Sequence, residues 1–169
     1  TLGVAQVGIH DDFFALGGSS LLAIQLLARV QQATDQRLSV ASLFAGATIA
    51  DQVALFHGRR SEQPAYLVPI RLQGSRPPLF LIHPVGGHVL CYHQLTAGLD
   101  SDQPVYGLQS PGVEGAPLAD TGWTIADLAQ WYEAEIRQVQ PQGPYFLAGW
   151  SLGGVVAYEL ACRLQEQGE

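Results

Sequence analysis

Two serines in this chain stand in settings that could do chemistry. Ser151 lies in Gly149-Trp150-Ser151-Leu152-Gly153-Gly154, between the apolar run Tyr145 to Ala148 and a stretch with Leu152, Val156, Leu160 and Leu164 at spacing four. A strand, a G-x-S-x-G turn and a helix in that order can hold a serine in strained backbone, its oxygen projecting above a sheet and ready to attack a carbonyl. Gly149 and Gly153 remove side chains where strand and helix crowd together. Ser20 closes Leu16-Gly17-Gly18-Ser19-Ser20, directly before a helical pattern in which Leu22, Leu26 and Val30 recur at spacing four, widened by Ile24 and Leu27. This stripe predicts a helix with one buried face. The glycines let the chain turn tightly. Free N–H groups and the dipole at a helix N-terminus favour an anionic substituent there, such as a phosphodiester on a serine hydroxyl. An ordinary serine N-cap is the competing reading. No Glu or Gln follows either serine by three, so a capping box is not formed.

The elements that must position these serines fall into two groups. Before residue 58 the signals are helical only: Leu21 to Ala33, a short turn near Val40 to Phe44, and Ile49 to Phe56. Residues 58–65 are polar, aperiodic and closed by a proline, which predicts a linker. Beyond it, apolar and amphipathic runs alternate, as in a parallel α/β sheet with crossover helices. The predicted strands are Tyr66 to Leu72, Leu79 to His83, Pro104 to Leu108 and Tyr145 to Ala148; the predicted helices are His88 to Leu99, Ile125 to Gln140 and Leu152 to Gln167. Thr48-Ile-Ala-Asp51 recurs as Thr124-Ile-Ala-Asp127, but the flanks share nothing, so both read as helix-capping starts rather than an internal repeat.

Composition narrows the classes. The chain has 169 residues, 47% of them apolar and 14% charged, and no run of eighteen apolar residues, which fits a soluble globular protein without a membrane span. With 8 basic against 15 acidic residues the net charge is -7, which disfavours a nucleic-acid surface. Cys91 and Cys162 lack metal-ligand spacing and are expected to be buried thiols in a reducing cytoplasm. There is no methionine, so Thr1 is not a translation start and the sequence reads as an excerpt.

Asp11-Asp12-Phe13-Phe14-Ala15-Leu16-Gly17-Gly18-Ser19-Ser20-Leu21 closely resembles the phosphopantetheine attachment motif of peptidyl carrier domains in nonribosomal peptide synthetases. In that motif the modified serine immediately precedes the leucine. The resemblance therefore implies a covalent 4'-phosphopantetheine on Ser20. It covers residues 1–57, and the first helix of the family would precede Thr1. Residues from about 77 to 169 resemble the type I thioesterase domains that end such assembly lines. The resemblance rests on His83-Pro84-Val85-Gly86-Gly87, Val105-Tyr106-Gly107-Leu108 and Gly149-Trp150-Ser151-Leu152-Gly153-Gly154. It implies that Ser151 is the nucleophile and that the Leu152 N–H is one oxyanion donor. The second donor comes from the loop after an earlier strand. Pro84 has no N–H, so Val85 is the first available backbone donor there, with Gly86 and Gly87 allowing close approach of a carbonyl.

The implied fold is multidomain: a small all-α carrier bundle over 1–57 with its first helix missing, a linker over 58–65, and the N-terminal part of an α/β-hydrolase fold over 66–169. The implied function is release of a peptidyl thioester through an acyl-serine, by hydrolysis or macrocyclisation. The implied partners are upstream condensation and adenylation domains and a phosphopantetheinyl transferase. A flexible eight-residue linker has an r.m.s. span of roughly 16 Å, which makes delivery from Ser20 to Ser151 intramolecular.

One departure limits the expectation. In α/β-hydrolases an acid and then a histidine follow the nucleophile, yet after Ser151 the chain holds no Asp and no His. Glu159, Glu166 and Glu169 fall within or just beyond a helix, and His83 and His88 lie beside the expected oxyanion loop, so none is assigned as triad member. These 169 residues alone are expected to be inactive. Two alternatives stay open: a stand-alone serine esterase or lipase, and a carrier and docking fragment without catalysis.

Overall fold

A computed structural model describes residues 2–4, 6–35, 38, 40–58, 66–111 and 122–169. The chain divides into two compact units, Thr1–Gln63 and Pro64–Glu169. The linker expected over 58–65 lies, apart from Gly58, outside the described residues.

The first unit contains α1 (Ser20–Thr34), α2 (Val40–Ala45) and α3 (Ile49–Gly58). The Asp12 carboxylate accepts the Phe14 and Ala15 N–H groups, both at 2.8 Å, and so fixes the turn before α1. Phe13 is buried, and its N–H donates to the Ala47 carbonyl at 3.0 Å. That bond ties the segment before α1 to the connection between α2 and α3. Thr48 and Asp51 cap α3 reciprocally: the hydroxyl donates to the carboxylate at 2.6 Å and accepts the Asp51 N–H at 3.1 Å. The expected buried face of α1 forms only in part. Ala23 is its one fully buried side chain, while Leu26, Leu27 and Val30 line an open apolar groove of about 460 Å³ with Val4, Leu43 and Val53. Residues before α1 and the start of α3 stand around the stripe without closing over it.

Among the described residues the second unit is a four-stranded sheet with helices. Its elements are β1 (Leu67–Arg71), β2 (Leu79–Ile82), a 3-10 turn (Leu90–Tyr92) running into α4 (His93–Gly98), β3 (Val105–Leu108), α5 (Ile125–Val139), β4 (Phe146–Gly149) and α6 (Leu152–Glu166). The strand order is β1-β3-β2-β4. Strand β2 runs parallel to both β3 and β4, but β1 is antiparallel to β3, so the sheet is mixed rather than parallel throughout. Residues 72–78 join β1 to β2 and are fewer than the dozen or so a parallel crossover needs, so the chain reverses there.

The core lies on one face of this sheet. Phe80 and Ile82 from β2 and Leu108 from β3 meet Leu128, Tyr132 and Ile136 of α5 and Val156, Leu160 and Leu164 of α6. Both helices thus present the i, i+4, i+8 stripe of a helix packed on one side. On the opposite face Leu81, Gly107 and Val68 share a register row, and a side chain at Gly107 would meet Val89, which is itself buried. Thr124 and Asp127 form a capping box at the start of α5.

Cys91 is exposed and Cys162 half-buried, both free, which corrects the expectation of buried thiols. Cys91 sits on the 3-10 turn between Leu90 and Tyr92, and both of those face inward. Among the described residues no helix is long and apolar enough to cross a membrane.

Candidate functional site

The turn between β4 and α6 is built by exclusion. A Cβ on Gly149 would overlap the Gly153 carbonyl, and a Cβ on Gly153 would overlap the Ile82 carbonyl oxygen and come within 2.8 Å of the His83 oxygen. Gly153 is therefore needed less for the crowding of β4 on α6 than for seating α6 against the end of β2. This contact brings the start of the loop from His83 to Gly87 beside the turn that carries Ser151.

Ser151 has φ 56° and ψ -123°, a left-handed conformation that a side chain adopts only under strain. It occupies the N-cap position of α6, yet its side chain makes no capping bond. The residue is exposed, and nothing among the described residues hydrogen-bonds its hydroxyl. The Gly153 N–H donates to the Trp150 carbonyl and the Gly154 N–H to the Ser151 carbonyl, each at 3.0 Å, which closes the turn. Leu152 is the first residue of α6, so its N–H has no partner within the helix. Val85 is 76% exposed. Among the described residues neither the Val85 nor the Leu152 N–H has an acceptor.

The loop that carries Val85 is anchored at both ends. The His83 N–H donates to the Leu108 carbonyl at 3.0 Å, Gly87 N–H to Pro84 at 2.8 Å, and Ser110 N–H to the Gly87 carbonyl at 3.0 Å. The His83 side chain is buried, with Nδ1 2.6 Å from the Pro84 carbonyl oxygen. That contact needs the proton on Nδ1, leaving Nε2 as an acceptor, and Nε2 is buried without a partner. Burial holds the His83 pKa below its ordinary value against the opposing pull of the Pro84 carbonyl, and the neighbouring His88 lowers it further. His88 is itself lowered by burial. Among the described residues neither imidazole hydrogen-bonds Ser151.

Sequence reasoning missed Tyr92, which reads as one more apolar position in a helical start. Its hydroxyl donates to the Ile82 carbonyl at 2.6 Å and accepts the Trp150 N–H at 2.9 Å. Burial raises its pKa, with the Trp150 amide pulling the other way, so the phenol is neutral.

In the first unit the two adjacent serines divide the work. Ser19 is the N-cap of α1 and its Oγ accepts the Leu22 N–H at 3.4 Å. Ser20 is the first helical residue and half-exposed, and among the described residues its hydroxyl has no hydrogen-bond partner. Gly17 has φ 89°, and a Cβ on Gly18 would overlap the Phe13 ring and carbonyl. The turn thus places Ser20 at the helix mouth with its oxygen free. A phosphodiester fits there: the hydroxyl is not spent on the cap, and the positive end of the helix dipole favours an anion.

Comparisons with known proteins place each unit in a family. Residues 77–169 match the thioesterase domain family. The chain belongs to that family. Residues 1–56 match the phosphopantetheine attachment site family, so a carrier region that takes a covalent 4'-phosphopantetheine precedes the thioesterase. Relatives include a dimodular nonribosomal peptide synthase of Bacillus subtilis, 44% identical over 99% of this chain and 7% of that protein. Malpinin synthetase of Mortierella alpina is 44% identical over 99% of this chain and 2% of its own length. The chain therefore spans less than a tenth of these relatives. Among solved structures, a holo four-domain nonribosomal peptide synthetase bound to AMP and glycine aligns over 99% of this chain and 13% of its own, at 38% identity and TM-score 0.63. The NocB thioesterase domain, in covalent complex with a fluorophosphonate nocardicin G analog, aligns over 62% of this chain and 45% of its own, at 36% identity and TM-score 0.56. Carrier and thioesterase together make the architecture of a nonribosomal peptide synthetase termination module.

Proposed function

We propose that this chain carries an acyl group on an arm attached to Ser20 and releases it through Ser151, within a nonribosomal peptide synthetase. The boundaries are 1–57 for the carrier, 58–65 for the linker and 66–169 for the thioesterase portion. When attached, 4'-phosphopantetheine supplies a terminal thiol on which acyl groups are held as thioesters. Ser20 offers the hydroxyl for that attachment at the N-terminus of α1, where the helix dipole favours an anionic group. Ser151 attacks a thioester carbonyl, the Val85 and Leu152 N–H groups receive the oxyanion that forms, and its collapse breaks the C–S bond, so that the thiol leaves with the serine's proton and the acyl group stays on Ser151 as an ester. Water or a nucleophile within the acyl chain then displaces the serine, giving an acid or a macrocycle. The partners are condensation and adenylation domains upstream, a phosphopantetheinyl transferase and a peptidyl thioester. The setting is cytoplasmic.

The observation that carries this reading is the left-handed Ser151, exposed and uncapped at the mouth of α6. A capping serine would lie in extended backbone with its oxygen turned onto the helix, as Ser19 does. Loading with coenzyme A and a phosphopantetheinyl transferase, followed by intact mass, and labelling with a serine-directed phosphonate test the two sites separately. In the full-length protein Ser20→Ala abolishes the mass gain but leaves hydrolysis of a small soluble thioester nearly intact. Ser151→Ala does the reverse and takes no label. Equal loss of both activities in either variant would refute this division of labour.

A further inference from the structure

Strand β2 and strand β4 run parallel with Ile82 and Gly149 as their last paired residues. The His83 N–H turns toward β3, where it bonds the Leu108 carbonyl. Backbone groups alternate sides along a strand, so the Ile82 carbonyl points toward β4. In an unbroken parallel ladder the next bond would run directly from the Trp150 N–H to that carbonyl. It does not. The Tyr92 hydroxyl stands between the two groups, donating to Ile82 at 2.6 Å and accepting from Trp150 at 2.9 Å.

This insertion falls at a consequential place. Ile82 is the last residue of β2, from which the loop bearing Val85 departs, and Trp150 directly precedes Ser151. The phenol ring is 6% exposed, packed from the 3-10 turn, and so cannot swing away. Crevices for ligands in open α/β sheets lie beyond the carboxyl ends of the strands, and that is where this hydroxyl parts β2 from β4.

We infer that Tyr92 is a positioning residue of the thioesterase, its hydroxyl inserted in the β2 to β4 ladder as a spacer that sets the Ser151 turn at the right distance from the Val85 loop. This rests on the reading of Ser151 as nucleophile with Val85 and Leu152 as oxyanion donors. Removing the hydroxyl lets the Trp150 N–H reach the Ile82 carbonyl directly. The ladder then closes by one bond, and the two donors lose their separation.

The test uses the full-length protein with Tyr92→Phe, assayed on a soluble acyl thioester of N-acetylcysteamine and with a serine-directed phosphonate. A spacer predicts that kcat and the labelling rate fall about 10- to 100-fold, the scale of a small misplacement. KM stays within about twofold, and the melting temperature is unchanged or higher, because a direct backbone bond replaces the bridged pair. A role in packing alone predicts the opposite pattern, a lower melting temperature with kcat per folded molecule preserved, and that result overturns the inference. Should Tyr92→Phe not fold, an ester in place of the amide at residue 150 removes the donated N–H while keeping every side chain. Wild-type kcat in that protein overturns the inference and a matching loss supports it. Ser151→Ala run alongside separates the two levels. Persistent labelling of Ser151→Ala refutes the nucleophile itself, whereas loss of label there with an unaffected Tyr92→Phe refutes only the spacer.

Discussion

Gly153 shows how a residue with no side chain decides where a reactive one stands. Its missing Cβ leaves room for the Ile82 and His83 carbonyl oxygens, so the first turn of α6 rests on the end of β2. Gly154 is next along the helix but faces a looser neighbour, the Gly149 carbonyl oxygen at 3.2 Å from its ideal Cβ. Gly153→Ala should therefore lower stability by about 1–3 kcal/mol, as overpacking does, and push Ser151 away from the Val85 loop. In Gly154→Ala the helix gains up to about 1 kcal/mol from propensity, which offsets a small adjustment at Gly149 and leaves the fold near wild type. Urea titrations of the two variants, with phosphonate labelling of Ser151, check this. Equal behaviour would show that α6 does not depend on its contact with β2. The pairing of Ser19 and Ser20 follows the same logic, one oxygen held by the helix and its neighbour left free.

At the scale of elements, α5 shares the core stripe with α6 and depends on its first turn. The Thr124 hydroxyl accepts the Asp127 N–H at 3.2 Å and donates to the carboxylate at 2.7 Å, which also accepts the Thr124 N–H at 2.8 Å. Thr124→Ala should destabilise the second unit by about 1 kcal/mol, the usual effect of losing an N-cap, read from the midpoint of denaturant unfolding. The Thr124 hydroxyl and amide also hold the Asp127 carboxyl below its ordinary 3.8. Its contribution is present above the unfolded carboxyl value and lost as pH falls through the lower folded one. In Thr124→Ala the Asp127 titration followed by NMR should move up toward 3.8, and an unmoved titration would show that the box forms without the hydroxyl. This box was legible from Thr124-Ile-Ala-Asp127 because capping is a local matter of four residues. The stripe of α6 was legible for the same reason, as was the turn that carries Ser151, whose strand, turn and helix are contiguous. The direction of β1 was not, because an apolar run reads alike in either orientation and only the short link over 72–78 betrays the reversal. Tyr92 was not legible either: its partners lie at positions 82 and 150, and no periodicity distinguishes a bridging phenol from a packed ring. Nor did the stripe of α1 reveal that its neighbours would leave a groove open, since apolar spacing records a face and not what covers it.

Across the whole molecule the two units can be followed separately, because the three tryptophans, Trp123, Trp131 and Trp150, all fall in the second. Tryptophan fluorescence therefore reports on the sheet unit alone. That unit contains His83, which is fully buried with Nε2 unpartnered and has its pKa held below the ordinary 6.5, chiefly by burial. In the unfolded chain the same imidazole binds a proton near 6.5, so below that pH the unfolded state holds more protons than the folded one. Stability is consequently full above about 6.5 and declines as pH falls from there toward the folded value, at no more than about 1.4 kcal/mol per pH unit for one imidazole. His88, lowered in the same direction by burial, adds to the slope. The expected result for the 169-residue chain is a fluorescence melting temperature that is level between pH 7 and 8 and falls between pH 6.5 and 5. His83→Gln should flatten that fall without abolishing it, leaving the part due to His88. A variant with the wild-type slope would mean that His83 takes up its proton in the folded state as readily as in the unfolded one. The loop bearing Val85 would then tolerate a charge beside the Pro84 carbonyl, which a buried ring with one nitrogen unpaired should not allow.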